Sequence, residues 1–339
     1  MKNAGYIMTL ALVLTLCLSL TAFARAVNFG HVAPPFHGTA KGVEAFAAYV
    51  NEKTKGRIKI AAFPSGQLGG ERSMAEQVQG GTLPLASVST AVLQNFVKET
   101  AILDMPFLFP NRATAYAVLD DGKVQEKIFS YLPKKGFIGI GWTENEFRDF
   151  SNTKRPIHSP EDVKGLKVRV MNSPAYLDAF KQLGASPVAI PFPEIYNALQ
   201  TGVIDAQENP ILTSTLMKFT EVTHHVTKTQ HALTECIIIV GVDYWESLSP
   251  KDQKIFREAA KLCTRVNRRV NAKLHQSLPK LGISVDEYAQ KHQIEIKELT
   301  PQERQAFKTA MVPMWKKYRK RIGNKLFDFM LDKIKEHQL

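Results

Sequence analysis

Lys154-Arg-Pro-Ile-His-Ser-Pro-Glu-Asp-Val-Lys-Gly-Leu-Lys-Val-Arg169-Val-Met-Asn172 decides how this chain is read, together with Gly184-Ala-Ser-Pro-Val-Ala-Ile-Pro-Phe192-Pro-Glu-Ile-Tyr-Asn-Ala-Leu-Gln-Thr-Gly-Val-Ile-Asp-Ala-Gln-Glu-Asn209-Pro210. Leu166, Val168 and Val170 alternate with Lys167, Arg169 and Met171. That alternation predicts a strand with one apolar face and a cation on the other. An arginine presented from a rigid strand is a fixed anchor for an anion, because its planar fork meets a carboxylate with two parallel hydrogen bonds. Pro193 to Thr201 reads as a short helix stopped by Gly202.

Outward from this stretch, strands and helices alternate. Val27–His31 reads as a strand, Thr39–Lys55 as a helix, Arg57–Phe63 as a strand and Glu71–Gln79 as a helix after a glycine loop. Gly136–Trp142 is a further strand, Pro250–Leu281 a long helix and Pro301–Lys320 another. Strand, helix, strand, helix is the rhythm of a parallel α/β sheet. Three helix starts share one recipe: Ser159-Pro160, Ser249-Pro250 and Thr300-Pro301, each with an acid two residues after the proline. The hydroxyl accepts a backbone N–H, proline needs none at the first helical position, and the acid favours the positive helix end. These are folding signals without functional weight.

The first residues read as a secretory leader: Lys2, an apolar run from Ile7 to Leu20, and Ala22-Phe-Ala24 as a small-x-small site, with cleavage expected near Ala24 or Ala26. The run is shorter than the roughly 20 apolar residues a spanning helix needs. Leu16 before Cys17 argues against lipid attachment, which wants a small residue there. The mature chain is therefore expected to be exported, to the periplasm. It is long enough for two domains of ordinary size. Cys236 and Cys263 read as buried thiols, although an oxidising compartment also permits a disulfide.

The net charge is +12. Its densest cluster, Lys316–Arg321, lies in a helical stretch beside Trp315 and reads as a solvated face rather than a nucleic-acid footprint. A basic surface suits attraction of small anions. Gly-x-Ser-x-Gly, His-Glu-x-x-His and Cys-x-x-Cys patterns are absent, Gly66-Gln-Leu-Gly69-Gly70 lacks the lysine and hydroxyl of a phosphate loop, and His224-His225 makes no metal site. No enzyme, cofactor or metal is expected.

The wording around Arg169 and Gln207-Glu-Asn209-Pro210 resembles the solute-binding proteins of tripartite ATP-independent periplasmic (TRAP) transporters, the DctP family, from about Phe29 to about Leu326. The resemblance implies two α/β lobes of the type II periplasmic-binding kind, with a hinge and a long helix bracing both. Lobe one would take 27–145 and 235–274; lobe two would take 146–234 and 275–339 with the C-terminal helices. It implies that Arg169 is the carboxylate clamp, that Arg148 also reaches the ligand, and that Asn209 hydrogen-bonds the same anion. Phe192 would line the pocket.

Asn172 reads as a donor supporting the ligand contacts from behind or as a turn residue, and Tyr196 and Leu199 as helix packing. From the first lobe, Ser89 is a candidate, and the loop His31–His37 could offer Phe36 or a histidine. Members that bind sialic acid carry an acid and an arginine where this chain has Ser89 and Val92, which argues against so large a ligand. The expected ligand is a small organic anion: a 2-oxo or 2-hydroxy acid, a C4 dicarboxylate or a sulfonate. The expected partners are the small and large membrane subunits of a TRAP transporter. A receptor of another importer or of a sensor kinase shares the lobed architecture, and only the Arg169 and Asn209 wording favours the TRAP reading.

Overall fold

The computed structural model of the chain describes residues 25–338. The leader, with Lys2, Cys17 and its Ala24 cleavage site, lies outside the described residues. The chain runs β1 (Arg25–Gly30), α1 (Gly38–Lys53), β2 (Ile58–Phe63), α2 (Glu71–Gln79), β3 (Leu85–Ser89) and β4 (Phe137–Asn152). It continues through β5 (Lys167–Val170), α3 (Pro174–Gln182), β6 (Ser186–Ala189), α4 (Ile195–Gln200), β7 (Ala206–Asn209) and β8 (His225–Gly241). α5 (Pro250–Gln276), β9 (Glu295–Glu298), α6 (Pro301–Met311), α7 (Met314–Ile322) and α8 (Asn324–Glu336) follow, and further helices and 3₁₀ turns connect these elements.

Two long strands organise everything else. β4 and β8 are antiparallel along most of their length, from Phe137↔Gly241 to Asn152↔His225. At one end, β8 pairs β3 and the order continues to β1 and β2; at the other, β4 pairs β7 and the order continues to β5 and β6. β9 adds beside the first residues of β8. The two halves are thus α/β lobes joined by strands, not by a loop. Between them the register shifts at Glu144/Phe147 and at Arg148/Phe150, and Glu146 and Gln230 take positive φ. Bulges of this kind bend a ladder and re-aim its side chains. The bend is the hinge between the lobes.

Sequence reading ended β4 at Trp142, but the strand continues for ten more residues. Its second part, Thr143-Glu-Asn-Glu-Phe-Arg-Asp149, is polar and yet almost wholly enclosed. No apolar alternation marks it, because its partners are hydrogen bonds inside the hinge. The helix expected over 301–320 is broken at Pro313, which stands at the N-cap of α7. The proline-initiated caps at Ser249 and Thr300 are present, and Ser159 caps a single 3₁₀ turn. Lys316, Lys317 and Lys320 are exposed on α7, and Lys317 pairs with Asp178. Cys236 and Cys263 are both buried free thiols.

α1 is clamped between β1 and α5. Phe46 meets Phe29 edge-on with centroids 5.4 Å apart and Phe256 at 5.5 Å. The helices touch because position 42 is glycine: a Cβ there would sit 2.7 Å from the Cys263 carbonyl oxygen. Further along α5, Asn271 Oδ1 accepts the Gly38 N–H at 3.0 Å. Asn267 Oδ1 accepts the Glu144 N–H at 2.6 Å, and its Nδ2 donates back to the Glu144 carbonyl at 3.3 Å. The long helix therefore holds the hinge strand by both its backbone groups. Asn267→Leu should leave that buried pair unmet and lower stability by about 1–3 kcal/mol, read as a fall in denaturation midpoint.

Candidate functional site

The ends of β5 and β7 bring two of the expected residues together. β5 and β7 are parallel neighbours with Arg169 opposite Gln207, and Asn209 closes β7 two residues later. Arg169, Asn209, Phe192 and Thr213 form the second-lobe wall of a cavity of about 530 Å³, its open mouth included. His31, His37, Glu71, Ser87 and Cys236 form the first-lobe wall, and Asn145 enters from the hinge. A cleft of about 710 Å³ adjoins it, sharing Glu71, Arg169, Met171 and Phe192 and adding Arg72 and Asn172. The two spaces form one crevice between the lobes, divided by those four side chains. At its rim the glycine loop meets the other lobe: Gly66 has φ +71°, and a Cβ there would lie 3.0 Å from Pro193.

Arg169 is buried, and among the described residues only its Nε is engaged, donating to the Ile190 carbonyl at 2.8 Å. Nη1 has no partner, and no carboxylate forms an ion pair with the group, among the described residues. Burial pulls the guanidinium down to about 10, opposed by Glu208 and reinforced by the neighbouring Arg148 charge. It remains cationic at neutral pH. Unpaired charge in an enclosed cavity is costly unless an anion fills the space.

Arg148 stands elsewhere. It is fully buried and does not line the crevice; its guanidinium is held by the Glu208 carboxylate through Nε and Nη2. Nη2 also donates to Asn209 Oδ1 at 3.0 Å, and Tyr176 lies beneath at 5.6 Å. The sequence expectation placed Arg148 at the ligand; here its guanidinium is turned to Glu208, within the Gln-Glu-Asn-Pro segment, and does not line the crevice. Burial pushes the Glu208 carboxyl up, but Arg148 and His231 outweigh it and hold it below the usual range. Arg148 positions Asn209. Since Asn209 Nδ2 donates to Gln207 Oε1 at 2.6 Å, the whole motif is fixed as one network.

Phe192 stands edge-on to Phe219 at 5.8 Å and serves as both cavity wall and core margin. Tyr196 and Leu199 pack in that same cluster. Asn172 has an exposed side chain on the outer cleft, and its carbonyl accepts from Asn95 at 2.7 Å. Two first-lobe candidates stand away from the crevice walls. Ser89 is buried behind the crevice, where its N–H and hydroxyl both serve Glu71 at 3.0 and 3.1 Å. Phe36 is exposed and absent from both walls, because its neighbour His37 is the residue that turns inward to cap α1.

Sequence reading missed Glu71, Asn145 and Thr213. Glu71 was visible only as an acid opening α2; Asn145 is hidden in the polar hinge run and accepts from Thr213 at 3.3 Å. Asp149, opposite Asn209 in the ladder, supports the same corner by accepting the N–H groups of Gln230 and Ile211, each at 3.3 Å. Burial outweighs those bonds and pushes Asp149 up to about 7. The folded state then holds a proton that the unfolded state has released above pH ~4, so this group's contribution to stability falls as pH rises from ~4 to ~7. In Asp149→Asn that decline should vanish from the stability profile measured by denaturant titration across pH 4–8.

Comparison with known proteins places this arrangement. Residues 29–321 match the family DctP, bacterial extracellular solute-binding protein, family 7. A solute-binding protein of Verminephrobacter eiseniae is 39% identical over 67% of this chain and 67% of its own. The 2,3-diketo-L-gulonate-binding periplasmic protein of Escherichia coli is 33% identical over 75% of this chain and 77% of its own. A crystal structure of a TRAP periplasmic solute-binding protein from a Polaromonas species, bound to D-erythronate, superposes with a TM-score of 0.83. It is 34% identical and covers 90% of this chain and 98% of that one. These are binding receptors, not enzymes, and share the two-lobed architecture.

Proposed function

We propose, because this chain belongs to the DctP family of bacterial extracellular solute-binding proteins, that it is the periplasmic receptor of a TRAP transporter and captures a small organic anion on Arg169. The single observation that carries the ligand reading is the buried Arg169 guanidinium, whose Nη1 meets no partner among the described residues in a cavity between the lobes. A carboxylate there would accept charge-assisted hydrogen bonds, with Asn209 held beside it by Arg148 and Gln207. A sulfonate presents similar acceptor oxygens to the same fork.

Closure and binding are linked in this reading. With the lobes apart, water hydrates Arg169; closing them without an anion strands the charge. An anion binds the closed form better and shifts the equilibrium toward it. The closed shape, with the Gly66 loop against Pro193, is then what the small and large membrane subunits recognise. A thermal-shift screen of hydroxy acids, oxo acids, dicarboxylates and sulfonates tests the reading, followed by calorimetry on the hits. At least one anion should raise the melting temperature saturably. Stabilisation by none of these classes would sink the proposal.

A further inference from the structure

The two walls of the inner cavity differ in chemistry. The second lobe brings the charge of Arg169. Among the described residues, the first lobe brings no lysine or arginine to the inner cavity. Arg72 reaches only the outer cleft, where its Nε pairs with Glu76 at 3.0 Å. The first-lobe wall carries an acid instead: Glu71, fixed in place by the Ser89 N–H and hydroxyl. Beside it stand two imidazoles. His37 Nδ1 accepts the Thr39 N–H at 3.1 Å, which assigns the ring proton to Nε2. That Nε2 is enclosed, has no partner among the described residues, and belongs to a residue lining the cavity. His31 Nδ1 is also enclosed and without a partner among the described residues, although the ring itself interacts with the Ala33 backbone.

We infer that the cavity selects a monocarboxylate bearing hydroxyl or keto oxygens over a dicarboxylate, with His37 Nε2 donating to one of those oxygens. The inference rests on the anion reading of Arg169 above. A second carboxylate reaching the first-lobe wall would meet no cation there, only Glu71, whose carboxyl burial pushes up while the Ser89 bonds and the Arg169 charge favour its ionised form. A neutral hydroxyl or keto oxygen meets the His37 Nε2 donor, which is otherwise idle. Burial draws both imidazoles down to about 4, with His37 adding to the effect on His31 and Glu146 opposing it on His37, so at neutral pH they are uncharged and cannot substitute for the missing cation. The Thr39 hydroxyl, close to Asn267 Nδ2 at 3.4 Å, extends the same neutral wall.

Calorimetry with three probes tests this: D-erythronate, n-butyrate (the same chain length without hydroxyls) and succinate. The wild-type protein should bind D-erythronate roughly a hundredfold more tightly than succinate, since like charges brought together without relief cost much affinity. His37→Asn is the informative variant, because asparagine still caps α1 while its shorter side chain withdraws the donor. It should weaken D-erythronate about tenfold and leave n-butyrate unchanged. Glu71→Gln should improve succinate about tenfold without strengthening D-erythronate. Succinate binding as tightly as D-erythronate, or equal losses of D-erythronate and n-butyrate in His37→Asn, overturns the inference and leaves Arg169 as the clamp. Arg169→Met, run alongside, should lose all three probes; unaltered binding there overturns the anion reading and this one together.

Discussion

Arg169→Met is expected to abolish tight anion binding and, in the ligand-free protein, to raise the melting temperature. Both effects come from one cause. The guanidinium is buried with a single protein hydrogen bond, to the Ile190 carbonyl, and Nη1 is unmet among the described residues. Two charge-assisted bonds to a ligand are worth roughly 3–6 kcal/mol together, so their loss weakens binding about a hundredfold to ten-thousandfold. Methionine fills similar space without the desolvated charge. Replacing buried ionic groups by apolar ones is often neutral or stabilising by about 1–4 kcal/mol. Calorimetry reads the first effect and a melting curve the second. A variant that binds normally, or melts far lower, contradicts the role given to Arg169.

Glu208→Ala should produce the opposite pattern, a large loss of stability. The Glu208 carboxylate neutralises Arg148 in a site where neither side chain is exposed. Its removal leaves one buried cation unpaired within range of a second, Arg169, whose own protonation Arg148 already opposes. Breaking such a pair costs about 3–5 kcal/mol, which for a chain of this size lowers the melting temperature on the order of 10 °C. Removing both partners in Arg148→Met/Glu208→Leu should restore much of the loss, because no charge is then stranded. Anion affinity should still fall in the double variant, since Asn209 loses the donor that fixes its Oδ1. Double-variant stability no better than Glu208→Ala would show that the pair is not what holds this region.

The sequence made the lobes legible where burial is one-sided. β2, α2 and α4 were read within a residue or two, because apolar periodicity and glycine or proline stops mark their ends. Arg169 was singled out by its family wording and not by alternation alone, since the same strand carries Lys167, an ordinary exposed cation. What escaped was the hinge. Residues Thr143–Asp149 carry the polarity of a surface loop, yet they are enclosed by partners distant in sequence: Asn267, Arg112, Glu208. Pattern reading treats each polar residue as solvated, so it had no means to pair Arg148 with Glu208. It also could not know that Ser89 would be spent on Glu71, or that His37 and Phe36 would face opposite ways.

The crossing of β4 and β8 fixes when each lobe can be finished. The first lobe needs β8 beside β3, and α5 against α1, before its sheet and its helical layer are complete. A nascent or prematurely terminated chain ending before about residue 276 therefore exposes an unzipped strand edge and a bare helix face, however much of the amino-terminal portion has already been synthesised. Maturation of the amino-terminal half therefore waits for α5, so that half is not expected to fold as a separate fragment.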